Sequence, residues 1–199
     1  SSVRVATTRS VWLILIAATT AALAPYGSLI ELVRNGEAPS DNYGEEVAGG
    51  GDVNGDAQAD HLVTAIFNDE AASAAGKAYL YLGRAPARTD ADLSFLGEAA
   101  DDQFGVSAAM GGDFNGDGFG DVIVGARFND RAGKDTGSVF VYFGGPSPGA
   151  PGGMDAQPDL VLTGQFQDDW FGTSVDFAGD VNGDGFDDIV VGAPFNDDH

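Results

Sequence analysis

Three copies of one pattern dominate this sequence and restrict what it can fold into. An aromatic residue followed by glycine recurs at Tyr43, Phe104 and Phe171, at spacings of 61 and 67 residues. In each copy this pair precedes the first aspartate of an acidic loop by nine residues, and a Phe-Asn-Asp triplet follows in phase. A fixed internal period indicates a repeat architecture, in which one structural unit is stacked several times.

Each complete copy contains four short segments with the pattern of β-strands. In the second copy they are residues 105–110, 121–126, 138–143 and 159–164. They are rich in β-branched and aromatic residues, and the second is a continuous apolar run, as expected of a strand buried on both faces. No segment has the periodicity of an amphipathic helix. The pattern predicts an all-β fold built from four-stranded antiparallel β-propeller blades, with about two and a half to three blades present.

The repeats divide most of the chain into blade units. We assign residues 28–199 to the propeller, with repeats at 43–103, 104–170 and 171–199. The chain begins with Ser1, and the last repeat is truncated after its second strand. We therefore expect the sequence to be a piece of a longer protein, because so few blades cannot close a propeller ring.

The first 27 residues have two interpretations. Two arginines precede an apolar run, as in a signal peptide, and the run is too short for a comfortable membrane span. However, the spacing from Ser10 to Tyr43 equals that from Ser138 to Phe171. The same residues could therefore form the last two strands of a preceding blade.

The charge and the absence of cysteine exclude several functions. The formal net charge is -22, from 31 acidic and 9 basic residues, whereas binding to nucleic acid requires a basic face. Such a chain repels itself on folding unless cations neutralise part of the charge. With no cysteine, neither a disulfide framework nor a thiolate zinc site is possible.

The acids concentrate in three loops of identical pattern, at residues 52–60, 113–121 and 180–188. Each has Asp, Asn, Asp and Asp at positions 1, 3, 5 and 9, and position 7 can add a backbone carbonyl. Oxygen ligands in this number suit Ca²⁺ better than Mg²⁺, zinc or copper. The candidate ligands are Asp52, Asn54, Asp56, Gln58, Asp60, Asp113, Asn115, Asp117, Phe119, Asp121, Asp180, Asn182, Asp184, Phe186 and Asp188.

The acidic loops have two other interpretations. An EF-hand requires glutamate at position 12, but that position is Val63, Val124 or Val191, inside a predicted strand. Metal-free hairpin turns remain possible, since Asn-Gly and Asp-Gly are common turn sequences. The calcium interpretation is favoured because several carboxylates in one turn would otherwise repel one another.

The three loops differ at position 6. Gly118 and Gly185 can adopt a positive φ at little cost, whereas the first loop has Ala57. If the turn needs a left-handed residue, alanine costs about 1 kcal/mol. We therefore expect the loop at 52–60 to bind the cation most weakly, with affinities of about 10⁻⁴ to 10⁻³ M or somewhat tighter, as in extracellular modules.

Together these elements resemble a known family. The order "FG", then "DxNGDGxxD", then "GAP" at 192–194 is similar to FG-GAP repeats, as in the propellers of integrin α-chains and many bacterial surface proteins. The resemblance implies a seven-bladed propeller with calcium between the first two strands of a blade. It covers residues 43–199, with departures at Tyr43, at "TAI" (64–66) and at "GAR" (125–127).

The predicted function follows from this resemblance and from the absence of catalytic motifs. The two histidines, His61 and His199, do not recur in phase, so no acid–base pair is indicated and we expect no enzyme activity. We expect an extracellular or cell-surface calcium-binding module for adhesion or for a protein or glycan ligand. Membrane association would come only through other parts of the protein. The alternatives are an accessory propeller of a secreted hydrolase such as a phospholipase, and a purely structural spacer.

The Phe-Asn-Asp triplets receive structural predictions. We expect Phe67, Phe128 and Phe195 to pack between blades. The aspartates of the triplets should cap the turn after the second strand. These aspartates are Asp69, Asp130 and Asp197. Trp170 could lie on an exposed rim or in a core or turn.

Overall fold

The computed structural model describes two N-terminal strands by their backbone and most of the remaining chain in full. The fully described residues are 36–84, 88–149 and 153–196. In this part of the chain every regular element is a β-strand, so the predicted all-β class is confirmed. None of the described residues belongs to a helix long and apolar enough to cross a membrane.

The strands form two four-stranded and two two-stranded antiparallel sheets. The chain order within each complete sheet is sequential, which is the meander of a propeller blade. The strands are β1 (Leu13–Ile16), β2 (Glu31–Arg34), β3 (Tyr43–Gly49), β4 (His61–Ala65), β5 (Lys77–Tyr81), β6 (Leu93–Leu96), β7 (Ser107–Met110), β8 (Val122–Ala126), β9 (Ser138–Tyr142), β10 (Leu160–Thr163), β11 (Ser174–Gly179) and β12 (Asp188–Gly192).

Strand register repeats from blade to blade. The first two strands of successive blades pair at Val47 with Val63, at Ala108 with Val124 and at Val175 with Val191. These pairs occupy equivalent positions in the three sequence repeats. The register therefore follows the phase of the sequence repeats, because inward and outward side chains must alternate identically for blades to stack.

The N-terminal strands β1 and β2 pair with each other. Leu13 lies opposite Arg34, and the two strands are antiparallel. This is the pairing that the blade interpretation of the segment anticipates. The rest of residues 1–27 lies outside the described residues, so whether the segment is a signal peptide or blade strands stays a prediction.

The cores lie between blades rather than within them. Leu62 contributes to one apolar cluster and the next residue, Val63, to another, because successive side chains of a strand point to opposite faces. The largest cluster joins the first complete blade to the second, and Phe95 packs against Tyr142 across this junction with ring centroids 4.2 Å apart. Strands β5, β8 and β9 are buried along their whole length, and for β8 the continuous apolar run predicts this.

The aromatic-Gly pair joins each blade to the preceding one. Phe104 is fully buried, and its N–H donates to the Ala75 carbonyl at 2.9 Å. Gly105 has a φ of 93°, and a Cβ there would lie 2.8 Å from the Thr64 Cβ. Only glycine fits this approach. The backbone bond recurs at Phe171, whose N–H donates to the Thr136 carbonyl at 3.0 Å.

Candidate cation-binding loops and the opposite end

The three acidic loops connect the first two strands of each blade, as the sequence predicted. They join β3 to β4, β7 to β8 and β11 to β12. Because the blades stack in register, these loops lie at one end of the sheets. The connections that contain the Phe-Asn-Asp triplets lie at the other end, since strands of a meander alternate in direction.

The aspartate at position 1 organises each loop. The carboxylate of Asp52 accepts hydrogen bonds from the backbone N–H groups of positions 4, 5 and 6, at 2.7, 3.1 and 2.8 Å. Asp113 and Asp180 accept the same three bonds in their loops. These bonds lower the pKa of Asp180, the largest effect coming from the Gly185 N–H, and so hold its charge in the turn.

Positions 3, 5 and 7 continue this network. The side-chain oxygen of Asn54 accepts from the Asp56 N–H at 3.0 Å, and Asp56 accepts from the Gln58 N–H at 2.8 Å. Equivalent bonds hold the second and third loops, where position 7 is Phe119 or Phe186. The side chains of positions 1, 3 and 5 are thus gathered inside one tight turn.

The aspartate at position 9 closes the base of the loop. Asp60 and Asp121 are buried, and each accepts two backbone N–H bonds, one from position 2 of its own loop and one from the glycine after the third strand. The pKa of Asp121 is raised to about 6, mainly by burial and also by the charges of Asp117 and Asp113, against the lowering effect of the two backbone hydrogen bonds. Asp188 keeps the bond from position 2, with 2.9 Å to the Val181 N–H.

This donor set fits a hard cation in its chemistry. All candidate side-chain ligands are oxygens, and none of the ion pairs among the described residues neutralises an aspartate of these loops. Across the same residues, however, no group of three Asp, Glu or His side chains is arranged as a preformed metal centre. The loop oxygens instead bind the loop backbone, so the ligand set stays a prediction.

Position 6 has the backbone conformation that the sequence suggested. The φ angles of Ala57, Gly118 and Gly185 are 64°, 88° and 95°. All three lie in the left-handed region, where alanine is strained and glycine is not. The first loop therefore carries a cost that the other two avoid.

A polar pair at the opposite end was missed by the sequence analysis. The buried carboxylates of Asp41, Asp102 and Asp169 each accept from the Asn side chain of the following triplet, at 2.9, 2.8 and 3.1 Å. Burial raises the pKa of Asp102 in spite of these bonds. The signal was present, because an aspartate stands two residues before every aromatic-Gly pair. It explains why asparagine recurs in the triplets.

The prediction that the triplet phenylalanines pack between blades is wrong for Phe67. Its exposed fraction is 38%, because the triplet lies in the turn beyond the end of β4. Trp170 instead lies between Phe128 and Phe195, edge-on to both, with ring centroids 5.1 and 4.4 Å apart. The Arg127 guanidinium lies 4.8 Å from the centre of the Phe128 ring. We use the name aromatic cluster for Trp170, Phe128, Phe195 and Arg127.

The turn-capping role of the triplet aspartates is confirmed where they are described. Asp69 accepts from the Ala74 N–H at 2.8 Å, and Asp130 accepts from the Asp135 N–H at 2.7 Å. Asp197 lies outside the described residues. The connection that presents Arg127 and Phe128 is therefore held by its own side chain, Asp130.

Comparisons with known proteins agree with the fold and the loops. Residues 104–142 and 171–199 match the FG-GAP repeat family. The chain is 33% identical to integrin alpha-5 of Xenopus laevis over 168 residues, which are 80% of this chain and 15% of the relative. It is 33% identical to integrin alpha-7 of Rattus norvegicus over 165 residues, which are 82% of this chain and 14% of the relative. The chain thus spans only a small part of these relatives.

Proposed function

Because the chain is an FG-GAP repeat protein of the integrin-α-like type, we propose that it is an extracellular calcium-binding module for adhesion or ligand binding. The observation that carries this proposal is the threefold repetition of one acidic loop, with the same oxygens and the same backbone bonds in each blade. Bound calcium would neutralise the carboxylates that these turns bring together.

The role of the cation in this proposal is structural. The loop backbone positions the aspartate at position 1, and the buried aspartate at position 9 links the loop to the glycine after the third strand. A loop ordered in this way would hold three strands of its blade together. The similarity to integrin α-chains supports a non-catalytic role for this chain. The relatives named above give no support to the hydrolase-accessory alternative.

The ligand-binding surface in this proposal is the end opposite to the acidic loops. The aromatic cluster is presented there by connections from two neighbouring blades, and Phe67 of the preceding blade is 38% exposed at the same end. Exposed aromatic rings beside an arginine are typical of surfaces that bind proteins or glycans. We expect Trp170→Ala to abolish binding to an array of extracellular-matrix proteins and glycans, whereas Val181→Ala at the acidic end should leave it unchanged. Equal loss in both variants would exclude this surface.

The test of calcium binding is thermal unfolding followed by circular dichroism. We expect the midpoint to rise in about 5 mM Ca²⁺ relative to EDTA, and to rise much less in Mg²⁺, because a ligand of the folded state stabilises it. Asp113→Asn with Asp117→Asn should reduce the rise by about a third. The matched control is Asp155→Asn, an exposed acid outside the loops. If the protein is folded and its melting midpoint does not change with Ca²⁺, the loops are turns that bind no calcium.

A further inference from the structure

Neighbouring acidic loops contact each other through the side chain at position 7. The ring of Phe119 lies against Gly55 of the preceding loop, where a Cβ would lie 2.7 Å from its Cε1 atom. The ring of Phe186 lies against Gly116 in the same way. Both glycines are at position 4 and have positive φ, 73° and 76°. The two contacts are equivalent and are repeated from one blade junction to the next.

A hydrogen bond from position 8 accompanies each ring. The Gly120 N–H donates to the Asp52 carbonyl at 2.9 Å, and the Asp187 N–H donates to the Asp113 carbonyl at 3.0 Å. At the second junction the Asp187 carboxylate also accepts from the Asp113 N–H at 2.9 Å. Positions 7 and 8 of one loop therefore hold positions 4 and 1 of the preceding loop.

These contacts join groups that a cation would order. Positions 1 and 4 belong to the hydrogen-bond set around the first aspartate, and position 7 is bonded to position 5 within its own loop. Ordering a loop therefore fixes the ring that constrains the preceding loop. Two sites that share such an element change each other's affinity by the same factor.

We propose that Phe119 and Phe186 are positioning residues that couple calcium binding in adjacent loops. The proposal rests on the proposed calcium function. Occupancy of the loop at 180–188 tightens binding at 113–121, and occupancy at 113–121 tightens binding at 52–60. The first and third loops share no such contact among the described residues, and so are not directly coupled. The strengthening expected for one junction is about fivefold, at the low end of measured coupling.

Calorimetric Ca²⁺ titration of the whole chain tests this coupling. Asp52→Ala with Asp56→Ala silences the first loop in every sample. The dissociation constant of the second loop is then measured with the third loop intact or silenced by Asp180→Ala with Asp184→Ala. We expect the intact third loop to lower this constant about fivefold.

The same pair of titrations in Phe186→Ala separates contact from charge. Silencing the third loop removes two carboxylates and so weakens Ca²⁺ attraction at a distance, but Phe186→Ala leaves the charge unchanged. In Phe186→Ala we expect the ratio of the two dissociation constants, silenced to intact third loop, to fall from about fivefold to the value that the charge difference alone gives. Phe186→Tyr should restore it, and Val181→Ala, a 71% exposed residue of the same loop, should preserve it. Circular dichroism confirms that each variant is folded.

Each outcome of these titrations is decisive. Absence of calcium binding in the unmutated chain would overturn the proposed function and the coupling with it. If calcium binds but the dissociation constant of the second loop is the same with the third loop intact or silenced, the coupling is overturned and the calcium function stays in place. A ratio that survives Phe186→Ala would show that the ring does not carry the coupling. If Phe186→Ala lost its fold, Ca²⁺ binding would weaken equally with the third loop intact and with it silenced. The ratio measured in Phe186→Tyr would then decide the question.

Discussion

At the scale of single residues, position 6 of the acidic loops separates the three copies. Ala57 adopts a φ of 64° where the other loops have glycine. A Cβ on Gly118 or Gly185 would meet nothing within 4 Å, so the cost of alanine at this position comes from the backbone alone. Glycine and alanine can therefore be exchanged at position 6 without creating a steric clash.

The exchange should alter affinity in opposite directions. We expect Ala57→Gly to tighten Ca²⁺ binding at 52–60 by about fivefold and Gly118→Ala to weaken binding at 113–121 by about the same factor, because about 1 kcal/mol of backbone strain is removed or added. Calorimetric titration measures both. A first loop that already binds as tightly as the others would contradict the expectation.

Another residue-scale feature is the ion pair of Lys77. This lysine is buried and contacts Glu70 and, at 2.7 Å, Glu37. The hydrogen bond from Lys77 lowers the pKa of Glu37, and burial opposes it only partly. A carboxyl with a lowered folded-state pKa contributes stability above its unfolded value, and this contribution is lost as the pH falls through the folded value.

The pair therefore predicts acid sensitivity that a single substitution reduces. Between about pH 6 and pH 3 we expect the unmutated protein to lose more free energy of unfolding than Glu37→Gln, by about 0.5–1 kcal/mol, because this glutamate is half exposed. Urea denaturation in calcium-free buffer measures the difference. Asp155→Asn, which removes an acid outside any described ion pair, should follow the unmutated protein. Identical pH profiles for Glu37→Gln and the unmutated protein would show that the pair contributes nothing.

At the scale of elements, the aromatic-Gly pair fixes how one blade follows another. Phe104 is fully buried between the first two complete blades and contacts Phe140 edge-on, with centroids 5.4 Å apart. Its backbone also bonds to the preceding blade. The pair is thus part of the junction and of the core at once.

Truncating this side chain should destabilise the junction strongly. We expect Phe104→Ala to lower the free energy of unfolding by about 3–5 kcal/mol, the cost of emptying a buried phenylalanine site. Urea denaturation in the presence of calcium measures it. Phe166→Ala, at a site 53% exposed, should change stability by about 0.5 kcal/mol or less. Similar losses in the two variants would mean that the junction is not a packed core.

At the scale of the whole molecule, the net charge of -22 opposes folding. Seven described ion pairs engage six carboxylates, none of them in the acidic loops. Most of the repulsion is therefore left to solvent ions and to any bound cation. Screening by salt and neutralisation by calcium should act on the same charges.

Salt and calcium should consequently replace each other in part. In calcium-free buffer we expect the melting midpoint to rise between about 20 mM and 500 mM NaCl, as the screening length falls. With saturating Ca²⁺ the same increase in salt should raise the midpoint less. Differential scanning calorimetry compares the two series. Equal slopes would indicate that calcium does not neutralise the repelling charges.

The sequence alone determined the features that repeat locally. The strand positions, the blade register and the gathering of positions 1, 3 and 5 in one turn followed from phase and spacing. The hydrogen bonds within the acidic loop join residues two to five apart, so the local sequence determines the conformation of the turn. The left-handed position 6 and the capping by Asp69 and Asp130 follow the same logic.

Only the tertiary structure decided what happens between blades. The hydrogen bond from Asn129 to the Asp102 carboxylate joins residues 27 apart, and the aromatic cluster unites connections from neighbouring blades. Position 2 of the acidic loops shows the reason most directly: Val53 is fully buried, whereas Val181 is 71% exposed. The same residue in the same local turn differs because Val53 packs into the core that the following blade completes. Local pattern fixes the shape of a turn, but burial depends on which neighbouring element covers it.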